Sequence, residues 1–334
     1  MIWSLQILRF VAALMVVYIH AVQIARAATG ANGLLPPEFQ IAGQAGVDIF
    51  FVISGVIIAR TAKGLAWQEF GWKRVRRIIP IYFIIGIFVI LISLRNGSHV
   101  AWRELAATFL LWPATDVMTV PLLPVAWTLC FEALFYAAAT LVIADRRWLL
   151  PILLIFGASL ALRARGPVFQ FLGNPLMFEF LLGIAVARAP AARQAIWLIP
   201  AGAIALVAAG FIGSAPTGST LDNLMGEGGF QRVLVYGVPA ALIVYGTMQI
   251  RGSESPWTRQ GDASYSLYLT HPLLMPTLLA LWKLVPLQAD LVILITATAS
   301  VIFGWRIHLA IEKPVIAWLS RQGWQSLGKQ AFWP

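Results

Sequence analysis

Long apolar runs separated by short polar segments occupy most of the chain. A run of about 20 apolar residues is long enough to cross the hydrocarbon core of a bilayer as an α-helix. The pattern therefore predicts ten membrane-spanning helices, of which the second and the fifth are short: Leu5–Ala25, Ala45–Ala59, Ile78–Leu94, Val125–Ile143, Trp148–Leu162, Val168–Ala187, Ile196–Gly213, Val233–Gln249, Ser264–Val285 and Ala289–Ala310.

The segments between these runs are brief, apart from residues 95–124, where "WRELAATFLLW" predicts an interfacial helix. Composition supports the same picture, since 60% of the residues are hydrophobic, 11% are charged and the mean hydropathy is +0.80. An average soluble domain is about 45–50% apolar and about 25% charged. We therefore predict an all-α fold, a polytopic transmembrane helical bundle. We expect a single domain over residues 1–334 with no appended soluble domain.

The first apolar run has two interpretations, because the "ARAA" that follows it is similar to a signal-peptide cleavage site. Arg9 lies inside the run rather than before it, and the run is long enough to span a membrane. Both features favour a retained first helix.

The distribution of cationic residues orients the bundle. Ten spans place both termini on one side, and that side collects fifteen Lys and Arg residues, including Lys63 and Lys329, against seven on the other. Cytoplasmic loops carry the excess of Lys and Arg, so we predict an N-in, C-in topology. The net charge of +10 then needs no nucleic-acid partner.

Two ionisable residues lie within the first run. Arg9 and His20 are eleven residues apart, about 16 Å along a helix, and project from nearly the same face. Ionisable residues at membrane depth usually line cavities or functional pathways. The alternative is that Arg9 reaches the inner interface and His20 packs as a core histidine.

Two carboxylates lie towards the outer ends of their spans, Asp48 at about the depth of His20 and Glu132 about one turn deeper. Asp48, one turn into the second span, is placed to orient His20 as a general base, although it could equally cap a helix start. Glu132 in the fourth span must be neutral, paired or facing a cavity. Its neighbour Cys130 suggests an acyl-carrying thiol, but a packing role is the better interpretation. A single cysteine excludes a cysteine-rich zinc cluster, and we predict no metal.

Two further groups are candidates for ligand binding. The basic segment "WKRVRRIIPIY" reads most simply as a stop signal at the inner surface, yet Arg74 and Arg77, with Lys73, could hold phosphates. In the ninth span Ser264, Tyr268 and His271 share one helix face, a polar stripe suited to a substrate. Interfacial tyrosines and a kink before Pro272 are the alternatives.

The order of these motifs resembles acyltransferase family 3, integral-membrane O-acyltransferases, and in particular its short exopolysaccharide-modifying branch. The resemblance runs from "LQILRFVAALMVVYIHA" through "GVDIFFVISGVII", "RVRRIIPIY" and "WTLCFEALFY" to "SYSLYLTHPLL" and "IEKP". Two departures stand out. Many relatives carry two acidic residues where this chain has only Glu132, and many larger ones add a soluble C-terminal domain.

The resemblance implies transfer of an acyl group, usually acetyl, from cytoplasmic acetyl-CoA to a hydroxyl of an extracytoplasmic or lipid-linked glycan. It implies functional roles for Arg9, His20, Arg74, Arg77 and Glu132, and residence in a bacterial inner membrane among its lipids.

In the expected mechanism CoA phosphates lie near Arg74, Arg77 and Lys73, and His20 acts as base or as acyl-accepting nucleophile. Asp48 or Glu132 orients His20. Arg9 or Tyr268 stabilises the oxyanion. A transporter or flippase and a non-catalytic partner protein are the alternatives. The sequence shows no inverted repeat of broken helices, the pattern that usually indicates a transporter.

Overall fold

A computed structural model describes residues 2–62, 64–216, 218–285 and 287–327, so Lys63 and Lys329 lie outside the described residues. The described chain forms seventeen α-helices and an isolated bridge between Ala114 and Met118. The first nine helices are α1 (Trp3–Thr29), α2 (Pro37–Ile41), α3 (Gly46–Thr61), α4 (Trp67–Arg95), α5 (Trp102–Phe109), α6 (Trp127–Ala144), α7 (Leu149–Ala161), α8 (Pro167–Leu172) and α9 (Met177–Arg188). The others are α10 (Leu198–Phe211), α11 (Thr220–Met225), α12 (Gly229–Arg232), α13 (Val238–Met248), α14 (Pro256–Asp262), α15 (Ser264–Leu284), α16 (Ala289–Ile307) and α17 (Lys313–Leu327).

Several of these helices join end to end through short 3₁₀ or π segments. Eight helices in the described chain are then long and apolar enough to cross a membrane: Trp3–Thr29, Pro37–Thr61, Trp67–Arg95, Pro124–Ala144, Pro167–Arg188, Arg193–Phe211, Gly229–Met248 and Ala289–Arg321. The polytopic helical bundle is thus confirmed. The topology relative to the cytoplasm stays a prediction.

The other two predicted spans are also helical but differ from the eight. The fifth corresponds to α7, whose 13 residues cover only about 20 Å, less than the core of a bilayer. The ninth corresponds to α15, which has 21 residues but a polar N-terminal half. All residues from Ser264 to His271 are buried, so protein rather than lipid surrounds this half. That environment accounts for its polarity.

Two helices extend beyond the limits that hydropathy predicts. Helix α4 begins at Trp67, eleven residues before the predicted third span, so the basic segment is helical and belongs to the same rod. The tenth span does not stop at "IEKP", because a π segment, His308–Glu312, carries the helix on into α17. Hydropathy misses the first extension because it contains Lys73, Arg74, Arg76 and Arg77, and it stops short of the second at the charged pair Glu312 and Lys313.

Helix α1 packs against α3, α14, α15 and α16, which makes it a central element of the bundle. It ends at Gly30, whose φ of 75° lets its N–H donate to the carbonyl of Arg26 at 2.9 Å. Helices α3 and α9 pack backbone to backbone, since a Cβ on Gly55 would lie 2.1 Å from the carbonyl oxygen of Phe180. Small residues of this kind permit close helix contacts in membranes.

The predicted interfacial helix is α5, and the loop after it turns back on the helix. Arg103 donates from Nε to Asp116 Oδ1 at 2.7 Å and makes a second bond through its Nη2 atom. These hydrogen bonds lower the pKa of Asp116 below its usual value.

Candidate active site

A cavity lies between α1, α3, α4, α6 and α15. Its wall is mostly apolar but contains three guanidinium groups, from Arg9, Arg74 and Arg77. The other lining residues are Val47, Phe50, Phe51, Ile53, Ser54, Ile57, Ile78, Thr128, Leu129, Glu132, Tyr136, Tyr265 and Tyr268. We call this space the central cavity.

The charges in the central cavity do not balance. Glu132 supplies the one carboxylate of its wall, against the three arginines. The Oε1 atom of Glu132 accepts hydrogen bonds from the hydroxyls of Ser54, at 3.0 Å, and Tyr136. A buried cation is costly unless it is paired, so the excess of guanidinium groups suits an anionic ligand.

The arginines are held with part of their bonding capacity unused. Arg9 is only 8% exposed, and its Nη1 donates to Gln6 Oε1 at 3.2 Å. Arg74 donates from Nη2 to Thr61 Oγ1 at 3.1 Å, whereas its buried Nε has no partner within the described chain. A guanidinium has five donors, so both groups retain capacity for a ligand.

Arg74 and Arg77 also line a second, open space of about 1340 Å³, which we call the basic groove. Its wall combines cations from α4, α14 and α17 with an aromatic side chain from α16. The lining residues are Gln6, Lys73, Arg74, Arg76, Arg77, Arg259, Asp262, Trp305, His308, Leu309, Glu312, Lys313, Ile316 and Ala317. Because the two arginines belong to both walls, the basic groove and the central cavity are neighbours.

His20 lies in a third space of about 600 Å³, the outer pocket, lined by His20, Gln23, Ile24, Pro124, Val125, Pro272 and Met275. Its Nδ1 lies 3.1 Å from Nε2 of His271. The other nitrogen of His271, Nδ1, lies 3.2 Å from the carbonyl oxygen of Leu267. The two imidazoles and the carbonyl thus form one hydrogen-bonded chain.

This chain fixes the tautomers of both neutral histidines. A carbonyl oxygen only accepts, so His271 carries its proton on Nδ1 and presents a bare Nε2. His20 must then donate from Nδ1, which leaves the lone pair on its own Nε2. That arrangement is the one a general base requires.

A hydrogen-bonded wall lies between the outer pocket and the central cavity. The hydroxyl of Tyr268 donates to the carbonyl oxygen of Val125 at 2.9 Å and lies 3.0 Å from Thr128 Oγ1. Tyr268 and Thr128 line the central cavity, and Val125 lines the outer pocket. His20 and Arg9 therefore lie on opposite sides of this wall, although they share one helix.

Comparison with known proteins identifies the class of enzyme. The sequence model of the acyltransferase domain of family 3 matches residues 2–307. The chain belongs to acyltransferase family 3. It is similar to the exopolysaccharide production protein ExoZ of Rhizobium meliloti (strain 1021), with 29% identity over 305 residues, 82% of this chain and 90% of the relative. No solved structure gives a significant match.

Family membership makes the protein a multi-pass membrane acyltransferase and confirms the resemblance read from the motifs. It supports an acyltransferase over the transporter and over the non-catalytic partner protein. The geometry places Arg9, Arg74, Arg77, Glu132 and Tyr268 around the central cavity of this acyltransferase. It places His20 in the outer pocket instead.

Asp48 does not contact His20 as expected. Its carboxylate instead forms a paired ion bridge with Arg232, with Nε–Oδ1 at 2.9 Å and Nη2–Oδ2 at 2.7 Å. Both side chains are buried, and Arg232 also lies over the rings of Trp127 and Tyr236. The guanidinium of Arg232 bonds to both oxygens of Asp48, so this carboxylate is already paired and does not orient His20.

Four other expected residues have partners that the sequence did not indicate. Ser264 is fully buried and donates to the carbonyl of Gly261 at 2.6 Å, outside all the spaces described above. His271 partners His20 rather than facing a substrate cavity. Lys73 lines the basic groove, but its Nζ lies 2.7 Å from Glu69 Oε1. Glu132 lies in the central cavity and bonds to hydroxyls, so it does not orient His20 either.

Sequence reasoning missed two buried charges. Arg232 reads from the sequence as a loop residue before the eighth span, yet it lies within α12 at 4% exposure. Glu179 lies inside the sixth predicted span, and both of its buried carboxylate oxygens are without a partner in the described chain. A carboxylate inside a predicted span is itself a signal of function or pairing, and it could have drawn attention to Glu179.

The described residues contain no group of three or more His, Cys, Asp or Glu side chains that could hold a metal ion. Cys130 is fully buried, and its thiol donates to the carbonyl of Ala126 at 3.6 Å. It lines none of the spaces described above, so packing is the role that this geometry supports.

Proposed function

We propose that this acyltransferase moves a small acyl group, most simply acetyl, from cytoplasmic acetyl-CoA to a hydroxyl of an exopolysaccharide or its lipid-linked precursor. The excess of three arginines over one carboxylate in the central cavity carries the proposal, because it calls for an anionic donor. The printed description of ExoZ as an exopolysaccharide production protein supports the class of acceptor.

The donor follows the spaces that the arginines connect. The phosphates of acetyl-CoA bind Arg74 and Arg77, which pair with phosphate oxygens through planar, multiple donors. The pantetheine arm enters the central cavity and brings the thioester towards Tyr268. In the predicted N-in orientation the basic groove, which holds the charged end of the donor, opens to the cytoplasm.

The acceptor approaches from the outer pocket. Its hydroxyl hydrogen-bonds to Nε2 of His20, the nitrogen that the His271 contact leaves without a proton. As the hydroxyl oxygen attacks the thioester carbonyl, His20 takes the proton. The C–S bond breaks, and His20 returns the proton to the leaving thiolate, so that the products are the ester and CoA. For the thioester and hydroxyl to meet, the Tyr268 wall must open.

The oxyanion that forms at the carbonyl needs donors in a site shielded from water. Tyr268 and Thr128 have hydroxyls at the wall where the two substrates would meet, and they supply those donors once they release the carbonyl oxygen of Val125. Arg9 contributes positive charge from the inner side of the same cavity. Glu132, the one carboxylate of the cavity wall, stays bonded to the hydroxyls of Ser54 and Tyr136 and reduces the net positive charge of the cavity.

The test is transfer of radiolabelled acetyl from acetyl-CoA by purified protein in nanodiscs, with and without exopolysaccharide acceptor. Wild type is expected to label the glycan, His20→Ala is not, and His99→Ala, an exposed loop histidine, serves as the matched control. Glycan labelling by His20→Ala at the wild-type rate would contradict the role of His20. Label that stays on wild-type protein in the absence of acceptor would favour an acyl-histidine intermediate.

A further inference from the structure

The basic groove contains an aromatic pair among its cations. Trp305 and His308 both line the groove, and their ring centroids lie 5.8 Å apart with the planes inclined by 30°. Phosphate binding explains the cations but not two flat rings beside them. Cations next to an aromatic face are what a nucleotide requires, since its phosphates and its base need different partners.

A buried carboxylate holds the imidazole of this pair in place. His308 Nδ1 lies 2.8 Å from Glu312 Oε2, which also accepts a hydrogen bond from Ser266 at 2.6 Å. Glu312 is only 3% exposed, so its carboxylate anchors the imidazole from the protein interior. His308 and Glu312 begin and end a π segment, and such single-turn segments in helices are frequent at functional sites.

The charge of the groove fits a ligand with several phosphates. Six cationic side chains line it, from Lys73, Arg74, Arg76, Arg77, Arg259 and Lys313, against the carboxylates of Asp262 and Glu312. Lys73 and Arg259 also form ion pairs with Glu69 and Glu254, with which a phosphate ligand would compete. One of those two carboxylates, Glu312, is occupied by Ser266 and His308. A phospholipid headgroup would satisfy the cations, but it has no aromatic ring to stack on Trp305.

We propose that Trp305, supported by His308, is the stacking platform for the adenine of the acyl donor in this groove. This inference rests on the proposed use of acetyl-CoA and adds the base-binding half of the donor site. The diphosphate then lies towards Arg74 and Arg77, the two residues that the groove shares with the central cavity. Arg259 and Lys313 lie on the remaining wall, where the 3′-phosphate would bind.

The experiment compares two donors within each preparation, acetyl-CoA and acetyl-4′-phosphopantetheine, which lacks the nucleotide. Wild type is expected to have the higher kcat/KM with acetyl-CoA. Trp305→Ala is expected to lower that preference by about tenfold, the loss typical of a base–aromatic stack. Trp305→Phe keeps most of the preference. Trp318→Ala, which removes an exposed tryptophan of α17 outside the groove, leaves it unchanged.

The preference is a ratio, so it does not depend on how much of a variant is correctly folded. Direct binding of adenosine 3′,5′-bisphosphate to the detergent-solubilised protein should weaken in parallel. If Trp305→Ala keeps the wild-type preference and the wild-type affinity for the bisphosphate, the platform is refuted while the proposed function stands. If wild type uses neither donor, the proposed function fails first.

Discussion

His20 and His271 are joined by a 3.1 Å contact between Nδ1 and Nε2, although 251 positions separate them in the chain. The carbonyl of Leu267 sets the tautomer of His271, and His271 sets that of His20. A histidine base needs a group that holds its ring and its protons in place. For His20 as the proposed base, His271 would hold the ring in place of the predicted carboxylate.

We expect His271→Ala to lower kcat by about 10- to 100-fold, a loss smaller than that of His20→Ala, because His20 remains but loses its orientation. The KM for acetyl-CoA should not change, since His271 lines neither the central cavity nor the basic groove. Steady-state kinetics with varied donor separates the two constants. His271→Gln, whose amide oxygen can accept from His20 Nδ1, should recover part of the activity. An increase in KM with kcat intact would show that His271 binds donor instead.

The second prediction concerns the wall between the two substrate spaces. Tyr268→Phe removes the hydroxyl that donates to the carbonyl of Val125 and lies beside the Thr128 hydroxyl. Water from the outer pocket should then reach the thioester, so the ratio of acetyl-CoA hydrolysis to glycan acetylation should rise several-fold. Release of free CoA, measured with and without acceptor, gives this ratio.

Tyr265→Phe is the matched control for this wall. Tyr265 lies on the same helix and lines the same cavity, but its hydroxyl donates to the carbonyl of Ile78 at 3.0 Å. Its loss should leave the ratio of hydrolysis to transfer at the wild-type value. Equal ratios for all three proteins would mean that Tyr268 does not separate the substrates.

Cys130→Ser tests whether a thiol carries the acyl group. The side chain is fully buried and lines none of the three spaces. Transfer should therefore continue at a rate within about twofold of wild type, with at most a small change in stability from the buried hydroxyl. Abolished transfer by a correctly folded variant would revive the thioester intermediate. Alkylation of intact protein with a maleimide, followed by mass spectrometry, checks that the thiol is inaccessible.

The buried ion pair of Asp48 and Arg232 should contribute to stability. Truncating one member of a buried pair leaves the other charge uncompensated, at a cost of about 3–5 kcal/mol. Asp48→Ala should therefore lower the thermal midpoint in detergent sharply. Asp48→Asn keeps the shape of the side chain and one oxygen that can accept from Arg232, so it should lower the midpoint less. Midpoints equal to wild type for both variants would leave Asp48 free for a role in catalysis.

Local patterns predicted most of the helices but few of the contacts between them. Hydropathy located ten helical segments because burial in lipid or protein demands apolar residues throughout. It placed the start of α4 eleven residues late, since the charged residues from Lys73 to Arg77 face the groove and cavity instead of lipid.

Pairing is a property of tertiary packing, and the sequence offered no rule for it. Asp48 lies 184 positions from Arg232, so nothing local distinguished that partner from His20 at a similar predicted depth. The need for a cavity could be predicted from two single residues. Arg9 and Glu132 are costly at membrane depth without a cavity or a counter-charge, and one cavity holds both of them together with Arg74 and Arg77.

The last prediction concerns the contact between α3 and α9, which positions Ser54 and the cavity wall. A Cβ on Gly183 would lie 2.1 Å from the carbonyl oxygen of Val52, a distance that requires the two helices to separate. Overpacking of this kind typically costs about 1–3 kcal/mol. Gly183→Ala should therefore lower the thermal midpoint, measured by loss of the monodisperse peak after heating in detergent. It should also reduce transfer, because Ser54 on α3 bonds to Glu132 in the central cavity.

Gly157→Ala provides the control, since Gly157 is also helical but has nothing within 4 Å of its added Cβ. Replacing glycine in a helix interior by alanine is otherwise favourable by about 0.5–1 kcal/mol, so this variant should match or exceed the wild-type midpoint. Equal losses in both variants would mean that glycine is needed for reasons common to all helices. A loss confined to Gly183→Ala would instead tie the activity to the close approach of α3 and α9.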